Sequence, residues 1–431
     1  MQVRSFLLIP HPDIPKKPLM QSDTPVSPPA AQSASQFLRR VGFIVLALAP
    51  LFSQFSRRGF VIVMPLGAIL LILARMIETD GQEPLAGMRS RLGHVCAWPV
   101  LFFIGWAGLS LIWTPFAAEA AIRYVNLMAL SLLLFATIQS LGDHTRIANL
   151  NLLPIGLACS LGIALALSWT GLANTNAATD TTMTERLPVL TVILMIPAST
   201  WLLSRGRWLA WMGMTATACL TLLLQEALTA VIALSVSLGI YGLTLVRPAW
   251  SRLLTLISTA MLVLMAPLLP FLLRPVTKFL YGSGDLTMDA LRAWGRLVQK
   301  EPLRLLTGHG FDVSMRAKIA GLIEAAAPRG LLFEIWYELG FLGVLSLVLL
   351  FIAAIRYARH QPPHIAASIL SSLMACFIFA VAGQASMQAW WLTLIGLLMI
   401  HLVAIAHGQF HTQRPISQSP MGRPQATRPV L

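Results

Sequence analysis

Twelve apolar stretches constrain this chain more than any other feature of its sequence. They occupy residues 41–55, 60–76, 96–113, 119–139, 151–171, 186–203, 208–224, 227–245, 253–273, 331–356, 364–382 and 385–405. A helix needs about 20 mostly apolar residues in a row to cross a bilayer. The pattern therefore predicts an all-α, polytopic integral membrane protein with about twelve transmembrane helices. The first stretch is short for a span, which leaves open a tilted helix, a re-entrant segment or a hairpin with the second stretch.

The composition excludes several other classes of protein. Hydrophobic residues make up 56% of the chain and charged residues only 11%, whereas soluble domains carry about 25% charged residues. A soluble enzyme, a disordered protein and a disulfide scaffold are therefore excluded. The formal net charge is +14, but the basic residues are scattered singly and in pairs between apolar stretches. Nucleic-acid binding needs one continuous basic face, so we expect membrane lipid, and no nucleic acid, as a partner.

The distribution of Lys and Arg predicts the orientation. With twelve spans, the two tails (residues 1–40 and 407–431) lie on one side and carry eight basic residues. The short loops on that side add Arg75, Arg89, Arg91, Arg146, Arg205, Arg207, Arg247, Arg252, Arg356 and Arg359. The opposite short loops hold Arg57, Arg58, Arg123 and Arg186. Because basic loops stay in the cytoplasm, we predict a multi-pass membrane protein with both termini cytoplasmic. Residues 1–40 are rich in Pro, Ser and Gln, which predicts a disordered tail.

One long loop, residues 274–330, separates predicted spans 1–9 (residues 41–273) from predicted spans 10–12 (residues 331–406). The twelve-span topology places this loop in the periplasm. It holds nine basic residues against five acidic ones, the basic ones being Arg274, Lys278, Arg292, Arg296, Lys300, Arg304, Arg316, Lys318 and Arg329. Basic residues are disfavoured in translocated loops. Two explanations stay open, a solvated basic cap and a site for an anionic ligand, and the second is favoured.

Residues 287–300 within this loop show the periodicity of an amphipathic helix. Leu291, Trp294 and Val298 share one face, and Arg292 and Arg296 share another at i, i+4. The proline that follows at 302 ends the helix. A short basic amphipathic helix next to lipid is typical of a membrane-surface element.

The tenth predicted span begins with two carboxylates. Glu334 and Glu338 stand at i, i+4 in its first turns, where negative charge favours the helix dipole. Carboxylates at the outer mouth of a helical bundle are also candidate site residues. Both interpretations stay open.

The order of motifs in residues 287–345 resembles the O-antigen ligase and O-antigen polymerase superfamily. The motifs are Arg292-x-Trp294, then Pro302, then Gly308-x-Gly310, and then a turn that leads into Leu-Phe-Glu-Ile-Trp-Tyr-Glu-Leu-Gly-Phe-Leu-Gly. Trp113-Thr114 at the end of the third span and the Trp390-Trp391 pair in the last span add support. The layout of twelve spans with one large, late outer loop also agrees.

The resemblance implies a metal-independent membrane glycosyltransferase of lipopolysaccharide and cell-envelope synthesis, with no cofactor. The donor would be a glycan on undecaprenyl diphosphate, and the acceptor a sugar such as lipid A–core or a growing polysaccharide. The alternatives are an O-antigen or exopolysaccharide polymerase, or a catalytically lost protein that binds or transports lipid-linked glycan. A transferase requires Arg292 and Arg329 to converge on a cavity that opens to the outer leaflet, whereas a transporter requires a cavity that alternates across the midplane.

The resemblance also implies residue roles. Arg292 matches the arginine of the family and would hold the diphosphate, because guanidinium groups bind phosphate oxygens in pairs and keep their charge. Arg296 and Arg304 lie nearby in sequence and could assist. Trp294 and Trp336 could stack on sugar or anchor the protein in the bilayer, and Glu338 is a further candidate for substrate binding.

The general base is the point at which this chain departs from the family. The histidine of the family aligns with Arg329, and arginine cannot accept a proton. The base could instead be His309, Glu324 or Glu334. Alternatively, Arg329 binds phosphate and deprotonation is late or substrate-assisted, or catalysis is lost. A second arginine of the family, in a Ser-Arg motif, has no counterpart near residues 225–227, where Glu226 could instead be a base or simply a carboxylate at a helix start.

Overall fold

The computed structural model describes residues 29–55, 59–79, 97–141, 147–170, 181–281 and 286–408. Within these residues the regular structure is helical, which confirms the all-α prediction. The helices are α1 (Pro29–Ala47), α2 (Ala49–Phe55), α3 (Gly59–Glu78), α4 (Ala97–Leu109), α5 (Ala117–Ser140), α6 (Ile147–Leu150), α7 (Leu152–Trp169), α8 (Thr181–Ser204), α9 (Trp208–Leu224), α10 (Leu228–Val246), α11 (Pro248–Met265), α12 (Leu269–Tyr281), α13 (Leu286–Lys300), α14 (Arg304–Thr307), α15 (Ser314–Ile319), α16 (Leu331–Arg359), α17 (Pro363–Val381) and α18 (Ala389–Ala406).

Nine helical segments in the described part of the chain are long and apolar enough to cross a bilayer. The count is ten if α1 and α2, which meet at an angle of 49°, form one span. Helices α4 and α9 coincide with two further predicted stretches but are shorter than a bilayer requires. The fold is therefore that of a helical membrane protein with nine or ten candidate spans among the residues described.

Helix α1 begins earlier than the sequence analysis predicts. Residues 29–40 were expected to belong to a disordered tail, but they form the first turns of α1. A proline at the start and several alanines after it favour a helix. Arg39 then fixes this end of α1, because its Nη2 atom lies 2.6 Å from Oε2 of Glu78 on α3. The remaining tail residues, 1–28 and 409–431, lie outside the described residues.

Helices α1 and α3 form an antiparallel hairpin. A Cβ atom added to Gly42 would contact Leu71, and one added to Gly67 would contact Leu46. Small residues let helix backbones approach closely, which is how helices pack where water does not drive association. The structure therefore pairs the first apolar stretch with the second, as in the hairpin arrangement, while the 49° bend between α1 and α2 fits a broken span or a re-entrant loop.

Helix α8 lies at the centre of the bundle, since its apolar part is the most completely buried of the candidate spans. It packs against α7, α9, α10, α17 and α18. Helix α16 packs against α4, α11 and α17, and the short helix α14 lies against it. This brings the segment between α13 and α16 onto one end of the bundle.

Helix α16 is broken at Gly340, whose backbone has φ 62° and ψ −158°. The break leaves the carbonyl groups of the preceding turn without their usual helical donors. Three donors from elsewhere in the chain replace them. His309 N–H donates to the Tyr337 carbonyl at 2.9 Å, Gly310 N–H donates to the Glu338 carbonyl at 2.9 Å, and Trp106 Nε1–H donates to the Leu339 carbonyl at 2.8 Å. The backbone of residues 308–310 therefore packs against the break and pairs with the carbonyl groups that it leaves open.

Candidate functional site

Helix α13 is the predicted amphipathic helix, and its position is confirmed. Leu291 and Trp294 are buried, and Val298 packs against the core from a partly buried position. The guanidinium of Arg274 on α12 lies in the space over Gly295 and donates to the carbonyls of α13. The apolar face of α13 is therefore held against the bundle, and the opposite face remains open.

The predicted phosphate-binding arginines lie on that open face or beyond it. Arg292 Nη1 lies 3.0 Å from Oδ1 of Asp289 in the same helix, with 40% of its side chain exposed. Arg296 pairs with Glu324, and Arg304 on α14 is exposed. The two predicted residues Arg296 and Glu324 therefore neutralise one another at the surface.

The two tryptophans proposed to stack on sugar or to anchor in the bilayer are buried in the structure. Trp294 and Trp336 are each only 7% exposed. Trp294 meets Phe333 edge to face, with 5.6 Å between ring centroids. Trp336 Nε1–H donates to the Val263 carbonyl at 2.9 Å. Trp294 therefore packs α13 against α16, and Trp336 links α16 to α11.

Glu338, predicted as a substrate-binding candidate, is buried in the structure, with 2% of its surface exposed. Its two carboxylate oxygens accept backbone N–H groups from Asp312 at 3.0 Å and Ser314 at 3.1 Å. These are donors at the start of α15, where a helix lacks internal acceptors. Glu338 therefore fixes the segment between Gly310 and α15 against the broken part of α16.

His309 has both ring nitrogens in hydrogen bonds. Nδ1 lies 2.9 Å from the Tyr337 carbonyl oxygen, and Nε2 lies 3.0 Å from Oε2 of Glu301. The ring also stacks on Tyr337, at 4.1 Å between centroids. A general base needs a nitrogen directed at the proton that it removes. In this arrangement His309 holds the loop in place, and its nitrogens do not face an open site.

Asp312 joins two arginines that are distant from each other in sequence. Its Oδ1 lies 2.9 Å from Nη1 of Arg123 on α5, and its Oδ2 lies 3.1 Å from Nε of Arg316 on α15. The Asp312 backbone is left-handed, with φ 62°, and the side chain is only 7% exposed. Burial raises the pKa of the Asp312 carboxyl above its ordinary value, although both guanidinium groups lower it.

Lys318 shapes the turn that carries Arg329. Its Nζ donates to the carbonyls of Ala327 at 2.7 Å and Pro328 at 2.8 Å. Burial, together with the charge of Arg329, lowers the pKa of Lys318 to about 8, against the opposite influence of Glu334. Arg329 itself is exposed, and within the described part of the chain its guanidinium has no carboxylate at ion-pair distance.

Glu334 is the predicted candidate base that the structure leaves most available. Its Oε2 accepts the backbone N–H of Met387 at 2.6 Å, and no hydrogen bond from a described residue reaches its Oε1. The carboxylate is half-buried and interacts electrostatically with Lys318 and Arg123. A carboxylate beside cations at the end of a helix bundle is an arrangement suited to chemistry on an anionic substrate.

These side chains form what we call the charged cluster, which consists of Arg123, Asp312, Arg316, Lys318, Arg329 and Glu334. The sequence analysis singled out only Arg329 and Glu334. It counted the other four among the charges of their loops without assigning them a role. The available signal was Arg123, which belongs to the group of short loops that the predicted topology leaves with few basic residues.

An apolar cavity of about 440 Å³ lies between α16, α17 and α18. Its walls include Leu331, Trp336, Phe377 and Trp391. The cavity reaches the N-terminal end of α16, two residues after Arg329. Neither Arg292 nor Arg329 lines it, so the convergence of these two arginines expected of a transferase does not occur at this cavity.

Within the described residues, His, Cys, Asp and Glu side chains do not gather in a group of three or more that could hold a metal ion. The chemistry of the charged cluster is that of guanidinium, ammonium and carboxylate groups. No protein-family model matches this chain, and no curated protein is detectably similar to it in sequence.

Proposed function

We propose that the protein transfers a glycan from undecaprenyl diphosphate to a sugar acceptor, such as lipid A–core, at the periplasmic face of the bacterial inner membrane. The proposal includes about twelve spans, cytoplasmic termini and an outward-facing segment between α12 and α16. The single observation that carries it is the position of Glu334, a half-buried carboxylate that interacts with Arg123 and with Lys318, while Lys318 in turn interacts with Arg329. This arrangement provides cations for a diphosphate and a base for a hydroxyl in one place.

The reaction assigns a separate task to each group. The acceptor hydroxyl oxygen forms a bond to the anomeric carbon, and the bond from that carbon to the diphosphate oxygen breaks, with the electron pair leaving on the diphosphate. Glu334 Oε1 takes the hydroxyl proton, because Oε2 already accepts the Met387 N–H. Arg329 stabilises the charge that develops on the leaving group, and Arg292 holds the donor from the open face of α13 before transfer.

The apolar cavity supports a donor carried on a lipid. Its walls are almost entirely hydrocarbon and it begins at Leu331, next to Arg329. An isoprenoid chain is apolar and its diphosphate is anionic, so one molecule matches both the cavity and the charged cluster. We propose that part of the chain lies in this cavity during transfer.

The test is the glycolipid profile of a deletion strain, complemented with the wild-type gene, Glu334→Gln or Glu324→Gln. Loss of long glycan from lipid A–core, with full-length lipid-linked polymer accumulating, supports the ligase. Glu334→Gln should fail to restore the glycan, whereas Glu324→Gln, which alters an exposed ion pair, should restore it. Full complementation by Glu334→Gln would refute its role as the base.

A polymerase is the alternative within the same chemistry, because it uses the same donor with a second lipid-linked repeat as acceptor. Accumulation of single lipid-linked repeats in the deletion strain would identify it. An unchanged profile, in a strain without a redundant paralogue, would contradict both and favour a protein that binds or moves lipid-linked glycan without reacting with it.

A further inference from the structure

Arg123 lies in the second turn of α5, far in sequence from every other member of the charged cluster. We infer that Arg123 is a binding residue for the diphosphate group of the substrate. The inference rests on the proposed function and adds a residue that the sequence pattern did not assign to the site. It follows from how Asp312 holds the Arg123 guanidinium and from which of its donors remain open.

Asp312 fixes Arg123 without using up its donors. The contact is between one nitrogen, Nη1, and Oδ1 at 2.9 Å, whereas a guanidinium carries five N–H donors. Since 42% of the Arg123 side chain is exposed, the remaining donors are accessible. A carboxylate that orients an arginine from beneath reduces the conformational entropy that the arginine loses when it binds a ligand.

The acidic and basic side chains of this region differ in burial, and the difference favours an anionic ligand. The carboxylates of Asp312 and Glu338 are almost fully buried, whereas Arg123 and Arg329 are exposed. Glu119, in the first turn of α5, is also exposed and offsets part of the positive charge. A ligand that approaches this end of the bundle meets guanidinium and ammonium groups before it meets the buried acids.

The arrangement of the cations suits a ligand with several phosphate oxygens better than a ligand with a single carboxylate. Cations reach the cluster from three separate elements: Arg123 from α5, Arg316 and Lys318 from α15, and Arg329 from the turn before α16. Guanidinium forks suit the paired oxygens of phosphate groups. A diphosphate presents two such groups, so cations on different elements can each bind a different oxygen.

The test is binding of undecaprenyl diphosphate and of inorganic pyrophosphate to the full-length protein in lipid nanodiscs. Arg123→Gln should weaken binding of both ligands by about tenfold or more, the usual loss for one charge-assisted hydrogen-bonding group. The matched control is Arg75→Gln. Arg75 is 40% exposed and shares Glu78 with Arg39, just as Arg123 shares Asp312 with Arg316. Arg75→Gln should bind both ligands as the wild type does.

Three results separate this inference from the proposed function. If the wild type binds undecaprenyl diphosphate and Arg123→Gln binds it equally well, the role of Arg123 is overturned and the proposed function stands. If the wild type does not bind it, the proposed function falls as well. If Arg123→Gln weakens only the lipid and leaves pyrophosphate unaffected, Arg123 does not contact the diphosphate.

Arg123→Lys decides the matter if Arg123→Gln does not fold. It keeps the positive charge opposite Asp312 but lacks the planar fork. Binding of undecaprenyl diphosphate should weaken by about threefold or more in a variant whose thermal unfolding matches the wild type. Wild-type affinity in Arg123→Lys would overturn the inference.

Discussion

The junction between Gly308 and the broken helix α16 provides the sharpest test of the architecture. Gly308 and Gly321 both have a positive φ, of 73° and 72°, and Gly308 has a ψ of −178°. Their surroundings differ. A Cβ atom at Gly308 would overlap the Glu338 carbonyl and lie 2.7 Å from Leu339 N, whereas a Cβ atom at Gly321 would meet nothing within 4 Å. Alanine at either position therefore has an unfavourable φ, but only alanine at position 308 also makes a close contact.

The expected free-energy changes follow from these differences. Either substitution costs at least about 1–2 kcal/mol, because alanine is disfavoured at a positive φ. The cost is greater at Gly308, whose ψ of −178° lies in a region open essentially to glycine alone. At Gly308 the loop must also move away from α16, which disrupts two backbone hydrogen bonds, from His309 to Tyr337 and from Gly310 to Glu338. Each disrupted bond that leaves a buried group unpaired costs about 1–3 kcal/mol. We therefore expect Gly308→Ala to lose at least about 2 kcal/mol more than Gly321→Ala.

The assay is thermal unfolding of the purified proteins in one detergent, with the wild type measured alongside. For a chain of this size the midpoint should fall by roughly 1 °C per kcal/mol. Gly321→Ala should therefore shift it by roughly 1–2 °C, and Gly308→Ala by at least about 2 °C more. Equal shifts for the two variants would show that the Gly308 segment does not pack into the break at Gly340.

Three further predictions concern single side chains. Glu338→Ala leaves two buried N–H groups without an acceptor and should destabilise the protein by at least about 2 kcal/mol, whereas Glu324→Ala at the surface should change stability by no more than about 0.5 kcal/mol; equal unfolding midpoints would contradict this. The pKa of Lys318 is about 8 in the folded protein and 10.5 in the unfolded chain. The unfolded state therefore holds the additional proton between these values, and the Lys318 contribution to stability rises with pH across this window. Lys318→Met should lack that rise when unfolding midpoints are compared from pH 7 to 11, and an identical pH profile would refute the assignment. Arg292→Ala should abolish glycan transfer while membrane insertion stays intact, with Lys300→Ala as the control on the same helix. Full glycan transfer by Arg292→Ala, measured on glycolipid gels, would remove Arg292 from the site.

Features that depend on neighbouring residues in sequence were predictable. A run of apolar residues favours a helix wherever it lies, so each of the twelve stretches is helical over most of its described residues, and nine or ten of the described segments are candidate spans. The periodicity of residues 287–300 assigned Leu291 and Trp294 to the buried face of α13 and Arg292 to its open face. These predictions succeeded because the helical period is fixed by backbone geometry and needs no information about distant parts of the chain.

Contacts of individual side chains were not predictable where a distant segment supplies the partner. Trp336 was expected to face sugar or bilayer, and in the structure its Nε1–H donates to the Val263 carbonyl of α11. His309 was a candidate base, but Glu301 and the Tyr337 carbonyl engage both of its nitrogens. The composition of residues 29–40 suggested disorder, yet Arg39 finds Glu78 on α3. The residues next to a side chain in sequence do not specify which distant residues it will contact.

By itself, the sequence determined an all-helical membrane protein with a basic, amphipathic segment late in the chain, because apolar length and helical period are local properties. Only the tertiary structure decided that Gly308 fills a break at Gly340 and that Asp312 holds Arg123 beside Glu334. These arrangements depend on close packing between segments far apart in the chain. Packing of that kind follows from how all the helices fit together, and it is not written in any single stretch of residues.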